Sequence, residues 1–538
     1  MALTKAHNRM LAGSAVSVID YGATGNGATD DTAAIQAACS ALTAGDVLVF
    51  PKGSYLLSDT MTISVQDVTV FAYGATITQS GEFKKSLNFS DAGAARVFGG
   101  KFIGRGTEHN GGSTSYNGVA AIYLTDPTGA IVDGVICQNH AGGAIRYIDA
   151  NGLTVRNCTI SGIGAAGGIS PLDNNSDFAI GSFGSTSDNK VLVDGCDISN
   201  HCFGIGASKG TSLRVVNCHI HSIPGQHGIY ASAMGDMVVS SCRFYDIKGE
   251  AIKNQIATNS TNVLGVVIDG NTFRGIDQAA IVLGPTSVST GSSMSNIVID
   301  NNSIYTVGTY FISLRNASGV IGDSNDMSVN TGGYGIYCDG FAGRIGKSKI
   351  SNTEWCGIWL EANGDVEVEP RLYDCCLNAG GRTGLDIQVY MYAAANAGVV
   401  GTPTLLISSG EFKNTSALPA GVTNCIRVAS TVAVSSKGFD NEIQKAWRFD
   451  NVVELGTNYS TGADYTVSAT QNPTTPIYGR GRRVLYGTQD PASASMTDKF
   501  IPGDICFDAT PSAGGKLGWV CITGGTPGTW KPFGAIDA

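Results

Sequence analysis

Nine fragments of this chain repeat one pattern, and that repetition restricts the available folds more than any other feature. They are VFGGKF (97–102), VRNCTI (155–160), VDGCDI (193–198), VVNCHI (215–220), VSSCRF (239–244), IDGNTF (268–273), IDNNSI (299–304), IGKSKI (345–350) and ISSGEF (407–412). Each reads apolar, two small or polar residues, a Cys, Asn, Gly or Ser, any residue, then an apolar one. About ten residues after the fourth position comes a Gly or Ala followed by Ile, at Ile145, Ile205, Ile229, Ile252, Ile281, Ile336 and Ile358. The return distance is commonly 22–24 residues and rises to about 30 where loops are inserted.

Short β-branched strands, two turn marks per repeat and a period in the low twenties predict a parallel β-helix, an all-β solenoid. The L-x-x-L-x-L signature of a leucine-rich repeat is absent. Coils stacked about 4.8 Å apart place identical positions in ladders. Cys158, Cys196, Cys218 and Cys242 share one such place and read as small buried thiols. A regular stack is poor disulfide geometry. The chain has 14 Cys with no C-x-x-C pair, and the adjacent Cys375 and Cys376 make no metal site alone. Neither a metal centre nor a cofactor is expected. The 72 glycines suit many tight turns.

A solenoid needs covered ends. Before the first coil stands SVIDYGATGNGATDDTAAIQAA (17–38), a short strand, a glycine-rich turn and a run with helical apolar spacing at Ile35, Ala38, Cys39 and Leu42. It has neither phosphate-loop pattern, and Asp30 and Asp31 put negative charge where a phosphate would sit. Thr29 and Asp30 are good helix N-caps, so the segment reads as a capping helix. VLVFPKGSYLL (47–57) follows as two strands around a Pro-Lys-Gly turn.

The cap motif followed by VLVFPKGSYLL resembles the start of pectate-lyase-like, right-handed β-helix proteins. The preceding LTKAHNRMLAGSA resembles the arm of bacteriophage tailspikes. The first resemblance covers roughly the first 60 residues, and the coil repeats extend it to about residue 450. It implies a homotrimer on the phage virion that cleaves host bacterial surface polysaccharide, O-antigen or capsule. It also implies attachment to the tail or an adaptor through the N-terminus. The expected divisions are an arm (1–15), a cap (16–67), a β-helix carrying binding and catalysis (68–450) and a C-terminal β module (451–538) for trimerisation or end-capping. Nine of the fifteen prolines lie beyond residue 400. Trp519 and Trp530 read as core or interface packing rather than sugar platforms.

A net charge of -10 argues against nucleic acid as the main partner. No apolar run is long enough for a membrane span, and the first fifteen residues lack a signal peptide's apolar core. Synthesis in the host bacterial cytoplasm without a signal peptide is therefore expected.

Strand alternation after each Gly/Ala-Ile mark sends alternate residues outward. The outward pairs are Tyr230/Ser232, Lys253/Gln255, Val282/Gly284, Ser313/Arg315, Tyr337/Asp339, Trp359/Glu361 and Asp386/Gln388, with Asn254 an odd inward residue. Arg315, Asp339, Glu361 and Gln388 then form one exposed column, beside Tyr337, Trp359 and Asp386. Two carboxylates on adjacent coils suit glycoside hydrolysis, where one protonates the leaving oxygen and the other activates water or attacks. Close carboxyls favour keeping one protonated, and aromatic faces bind sugar rings. Asp339 and Glu361 are the expected catalytic pair, with Asp386 or Glu354 as substitutes; Arg315, Tyr337, Trp359 and Gln388 are expected to bind substrate. Exposed carboxylates on a solenoid also serve plain solubility or pair with neighbouring charges.

A second cluster is His227, Glu250 and Lys253, with Arg274 and Asp277 nearby. It suits a lyase that abstracts the C5 proton of a uronic acid. The calcium-binding Asp clusters of pectate lyases and the DPH motif of alginate epimerases are absent. His219 and His221 read as surface strand. Long insertions at 104–118 and 162–189 are groove walls or subunit contacts, which makes Glu108, Asp173 and Asp177 lesser candidates. A non-catalytic receptor-binding spike is the remaining reading.

Overall fold

The computed structural model describes residues 15–106, 119–162, 178–256, 262–286 and 291–375 (except 141, 183–186, 356, 370 and 374), isolated strands between 387 and 467, and residues 484–493 and 500–537. The loop candidates Glu108, Asp173 and Asp177, the arm through residue 14, and Asp386 lie outside these residues. The chain divides into two compact units, Met1–Gly332 and Gly333–Ala538.

Between Met61 and Val307 each coil contributes three strands, paired in parallel with those of neighbouring coils, and the next coil merges its first two into Ile312–Ile321. One coil runs Gly143–Ile148, Asn151–Arg156, Thr159–Ser161. Their partners on the next are Phe178–Ser182, Asn189–Asp194 and Asp197–Ser199. Ladder register aligns the expected repeats: Ile160 with Ile198, Ile198 with Ile220, Phe244 with Phe273. These inward residues are fully buried, each worth about 1.5–3 kcal/mol of burial.

The repeat owes its third position to the backbone. Asn157, Gly195, Asn217, Ser241, Gly270 and Asn301 all have φ between 54° and 66°. That left-handed conformation is the corner between the second and third strands, and Gly and Asn tolerate it best. The asparagines are tied to the coil beneath: Asn157 donates to Asp133 (3.0 Å), Asn217 to Asp194 (3.0 Å) and Asn301 to Asp269 (2.8 Å).

The fourth position is the buried ladder. Cys158, Cys196, Cys218 and Cys242 are free, buried thiols, continued by the buried Asn271, Asn302 and Asn325. The asparagine amides bond rung to rung: Asn302 Oδ1 accepts from the backbone N–H and the Nδ2 of Asn271, both at 3.0 Å. Asn325 Oδ1 does the same for Asn302, at 3.1 and 3.0 Å.

The cap forms with one change. Val16–Ser17 is a two-residue strand followed by a 3-10 turn, Val18–Tyr21. The helix is Thr32–Ser40, burying Ile35, Ala38 and Cys39. Its N-cap residue is Asp31, not Thr29 or Asp30. The Asp31 carboxylate turns back to the glycine loop, accepting from Thr24 N–H (2.6 Å), Thr24 Oγ1 (2.9 Å) and Gly25 N–H (3.2 Å). Asp30 accepts from Thr32 N–H at 3.0 Å. The strands Val47–Val49 and Gly53–Leu57 flank the Pro-Lys-Gly turn as expected.

In the second unit Ile336–Ile345 pairs in parallel with Ile358–Val368, which pairs with Ile387–Ala393 and Thr404–Ile407. Parallel pairing continues through Asn424–Val428 and Ala446–Phe449 to Tyr465–Val467. Beyond it is a small sheet of Val484–Gly487, Ile505–Asp508, Lys516–Thr523 and Thr529–Ala535, its last three strands antiparallel. Trp519 and Trp530 are buried there with Phe500, Cys506 and Cys521. Among the described residues no helix is long and apolar enough to cross a membrane.

Candidate functional site

The outward alternation holds on the Tyr230 and Lys253 coils and fails on the next two, where Gly284 and Ser313, both expected outward, are buried. Tyr230 and Ser232 flank buried Ala231, and Lys253 and Gln255 flank buried Asn254. Register sets Tyr230 against Lys253 and Ser232 against Gln255. The inward Asn254 is satisfied locally: its Nδ2 donates to Met234 O (2.8 Å), and its Oδ1 accepts from Met234 N–H (3.2 Å).

Tyr230, Ser232 and Lys253 border a groove of about 290 Å³ whose lining also includes Phe178, Phe203 and His227. Phe178 and Phe203, opposite one another on successive coils, have ring centroids 4.6 Å apart. Phe203 meets His227 at 5.5 Å and Tyr230 at 5.8 Å. The polar corner is Glu250, whose Oε2 lies 2.7 Å from His227 Nδ1 and whose Oε1 lies 3.3 Å from Lys253 Nζ. Burial works against ionising Glu250, but the His227 hydrogen bond and the His227 and Lys253 charges outweigh it, holding the carboxyl at about 2. Glu250 N–H also approaches His227 Nδ1, at 3.2 Å. Nδ1 is the acceptor of that backbone N–H, and the 2.7 Å approach of Oε2 is an ion-pair contact.

Arg274 and Asp277 do not join this corner. Arg274 is exposed on Thr272–Ile276, in the other parallel sheet. Asp277 is engaged by Lys248 at 2.6 Å. Both fall after the corner that turns the chain onto that sheet, so proximity in sequence misleads.

In the second unit Tyr337 faces Trp359 and Asp339 faces Glu361 across consecutive coils. Cys338 and Leu360 between them are fully buried, so Asp339, Tyr337 and Trp359 are the partly exposed members. Tyr334 sits at the centre of an aromatic cluster, with ring centroids 5.6 Å from Tyr337, 5.2 Å from Trp355 and 5.2 Å from Trp359. Glu354 is half-buried immediately before Trp355.

The expected column differs at its ends. Trp359 faces Tyr390 and Glu361 faces Tyr392, so Gln388 lies four residues before the place assigned to it. The misalignment preserves in–out parity, because a strand repeats every two residues. Arg315 belongs to the first unit, where its Nη1 donates to Thr286 O at 3.0 Å.

The aromatic wall of the groove was not anticipated, nor were Tyr334 and Trp355. Aligning DFAIG (177–181) with CFGIG (202–206) would have found Phe178 and Phe203.

Residues 120–287 match a family model described as the right-handed beta helix region. The non-secreted LysM effector LysM19 of Penicillium expansum is 22% identical over 342 residues, covering 60% of this chain and 24% of that protein. The chain thus spans about a quarter of that relative's length. Among solved structures, the Dettilon tailspike protein gp208 superposes with a TM-score of 0.44 at 14% identity, covering 75% of this chain and 68% of that one. The Streptococcus pneumoniae surface adhesin PfbA superposes with a TM-score of 0.48 at 15% identity, covering 77% and 100%. The coil-by-coil register and the family model matching residues 120–287 lead to one conclusion: the fold is a right-handed parallel β-helix.

Proposed function

We propose that this protein binds and hydrolyses a bacterial surface polysaccharide, O-antigen or capsule, using Asp339 and Glu361. The observation that carries this reading is two carboxylate residues facing one another on consecutive coils beside four clustered aromatic rings. Rungs about 4.8 Å apart allow carboxyls to flank one glycosidic bond. One carboxyl donates its proton to the leaving oxygen as the C1–O bond breaks. The other attacks C1 or takes a proton from the attacking water. Tyr337 and Trp359 offer apolar faces to sugar rings, and Glu354 is the reserve acid. The resemblance of the cap and arm to tailspikes supports a homotrimeric virion spike joined to the tail or an adaptor through its N-terminus.

A second reading, a uronate lyase, is favoured by the groove. Lys253 would offset the substrate carboxylate while the His227 imidazole takes the C5 proton. The C4–O bond then breaks, its oxygen takes a proton from water, and a C4–C5 double bond is left.

The test is to incubate the protein with host polysaccharides and size the products. Asp339→Asn and Glu361→Gln are each expected to slow chain shortening by at least about 100-fold. Folded variants that cut at the normal rate would sink the assignment. Products absorbing in the ultraviolet as unsaturated uronates favour the groove, and tight binding without shortening identifies a receptor-binding spike.

A further inference from the structure

On the other parallel sheet, Asp197–Ser199 pairs with His219–Ile223, with Asp197 facing His219 and Ser199 facing His221. Ile198 and Ile220 between these positions are fully buried. Alternation therefore forces Asp197, His219 and His221 onto one outer face. The Asp197 carboxylate bridges the two histidines: Oδ2 lies 3.2 Å from His219 Nδ1, and Oδ1 lies 3.3 Å from His221 Nε2. The imidazoles stack with centroids 4.3 Å apart and planes 23° from parallel. One ligand atom from each of the three falls within 4.8 Å of the others, and among the described residues no other His, Cys, Asp or Glu group meets that condition.

We propose that Asp197, His219 and His221 form a binding site for a divalent first-row transition ion of the zinc type, which clamps two consecutive coils. Three features carry this. First, with metal–ligand bonds of about 2.0–2.2 Å, the edges of a tetrahedral site are about 3.4 Å long. The two nitrogen–oxygen separations, each to a different oxygen of the carboxylate, lie close to that edge, while charge-assisted hydrogen bonds are usually shorter, about 2.7–2.9 Å. Second, two imidazoles and one carboxylate are the donor set that zinc accepts, with water completing the coordination. Third, the remaining nitrogen of His221, Nδ1, lies 3.3 Å from Ser222 Oγ, an outer partner that orients a ligating ring. Tyr245 on the next coil packs edge-on against His219, with centroids 5.6 Å apart. Arg243 faces His219 from that same coil but is exposed to solvent, so its charge is largely screened.

The site is independent of both carbohydrate clusters, so it is tested without any substrate. The chelator-treated full chain is titrated with zinc chloride against a chromophoric competitor. Bound zinc is counted by elemental analysis, and cobalt(II) substitutes as a coordination probe. The expected result is one ion per chain, an intense tetrahedral cobalt spectrum and a thermal midpoint raised by zinc. His219→Gln, His221→Gln and Asp197→Asn each weaken binding at least about tenfold and abolish the thermal shift, with circular dichroism unchanged. A wild-type chain that retains no zinc at micromolar concentrations overturns the proposal. So does a folded His219→Gln/His221→Gln double variant that binds zinc as the wild type does.

Discussion

Asn302→Ala removes one rung of the buried amide ladder, and its cost follows from the bonds it breaks. Asn302 Oδ1 accepts from the buried Asn271 N–H, for which alanine offers no replacement. Asn302 Nδ2 reaches Ile268 O (2.9 Å), Asp300 O (2.8 Å) and Asn325 Oδ1 (3.0 Å), and these contacts vanish as well. An orphaned buried donor costs about 1–3 kcal/mol and each lost net hydrogen bond about 1 kcal/mol. With the two N–H donors of the amide, the total is roughly 3–5 kcal/mol. A solenoid loses stability locally because each coil touches only its neighbours, so local hydrogen exchange is the appropriate assay. At about 1.4 kcal/mol per decade, the Asn271 amide should exchange about a hundredfold to several thousandfold faster. Mass spectrometry of a peptide spanning 268–273 reads this, with the distant coil at Ile145 as the unchanged control. Asn302→Cys should fall between alanine and wild type, because a thiol already serves this place: Cys218 N–H donates to Cys242 Sγ at 3.4 Å. Unaltered Asn271 exchange in the alanine variant, or a cysteine variant worse than alanine, would refute the ladder as a hydrogen-bonded device.

Two further outcomes follow from the groove and its neighbourhood. Glu250 is held at about 2, below its usual 4.5, so its stabilising contribution is complete above pH 4.5 and is lost as pH falls through 2. Glu250→Gln should therefore lower stability at pH 7 by on the order of 3 kcal/mol at most. The deficit should shrink on acidification toward pH 2, as read by denaturant unfolding across that range. Gly284 has φ of +117°, and a Cβ there would lie 2.0 Å from Arg315 O, whereas Gly291 at φ +67° has open space around it. Gly284→Ala should fail to accumulate as folded protein while Gly291→Ala persists with a modest loss of thermal midpoint, compared by soluble yield and melting.

What the sequence revealed and what it hid divide along one physical line. A solenoid writes its period into the chain because every coil solves the same local problem. The corner at Asn157, Asn217 and Asn301 needs a left-handed residue, and the next place is buried and must be small or self-satisfying. Those demands recur whatever the loops do, so the cap, the coils and the ladder were legible. The facing of Asp339 with Glu361 was legible for the same reason: YGIYCDG (334–340) and CGIWLEA (356–362) are uninterrupted copies 22 residues apart. The place of Gln388 was not, because a strand pattern of period two fits equally well after any even slip. GLDIQ (384–388) imitates the Gly-Ile mark, while the ladder puts Val389, not Leu385, opposite Ile358. His227 and Glu250 were placed correctly on successive coils, but their 2.7 Å contact depends on side-chain reach, which periodicity does not encode. The same limit hid Asp197 from CHIH (218–221): the two histidines are adjacent in the pattern, and the carboxylate that joins them sits a coil away. In a β-helix, then, chemistry is assembled vertically, between residues a full period apart. Groups on consecutive copies of an intact motif can be paired from sequence with confidence in their rung, and those separated by an insertion cannot.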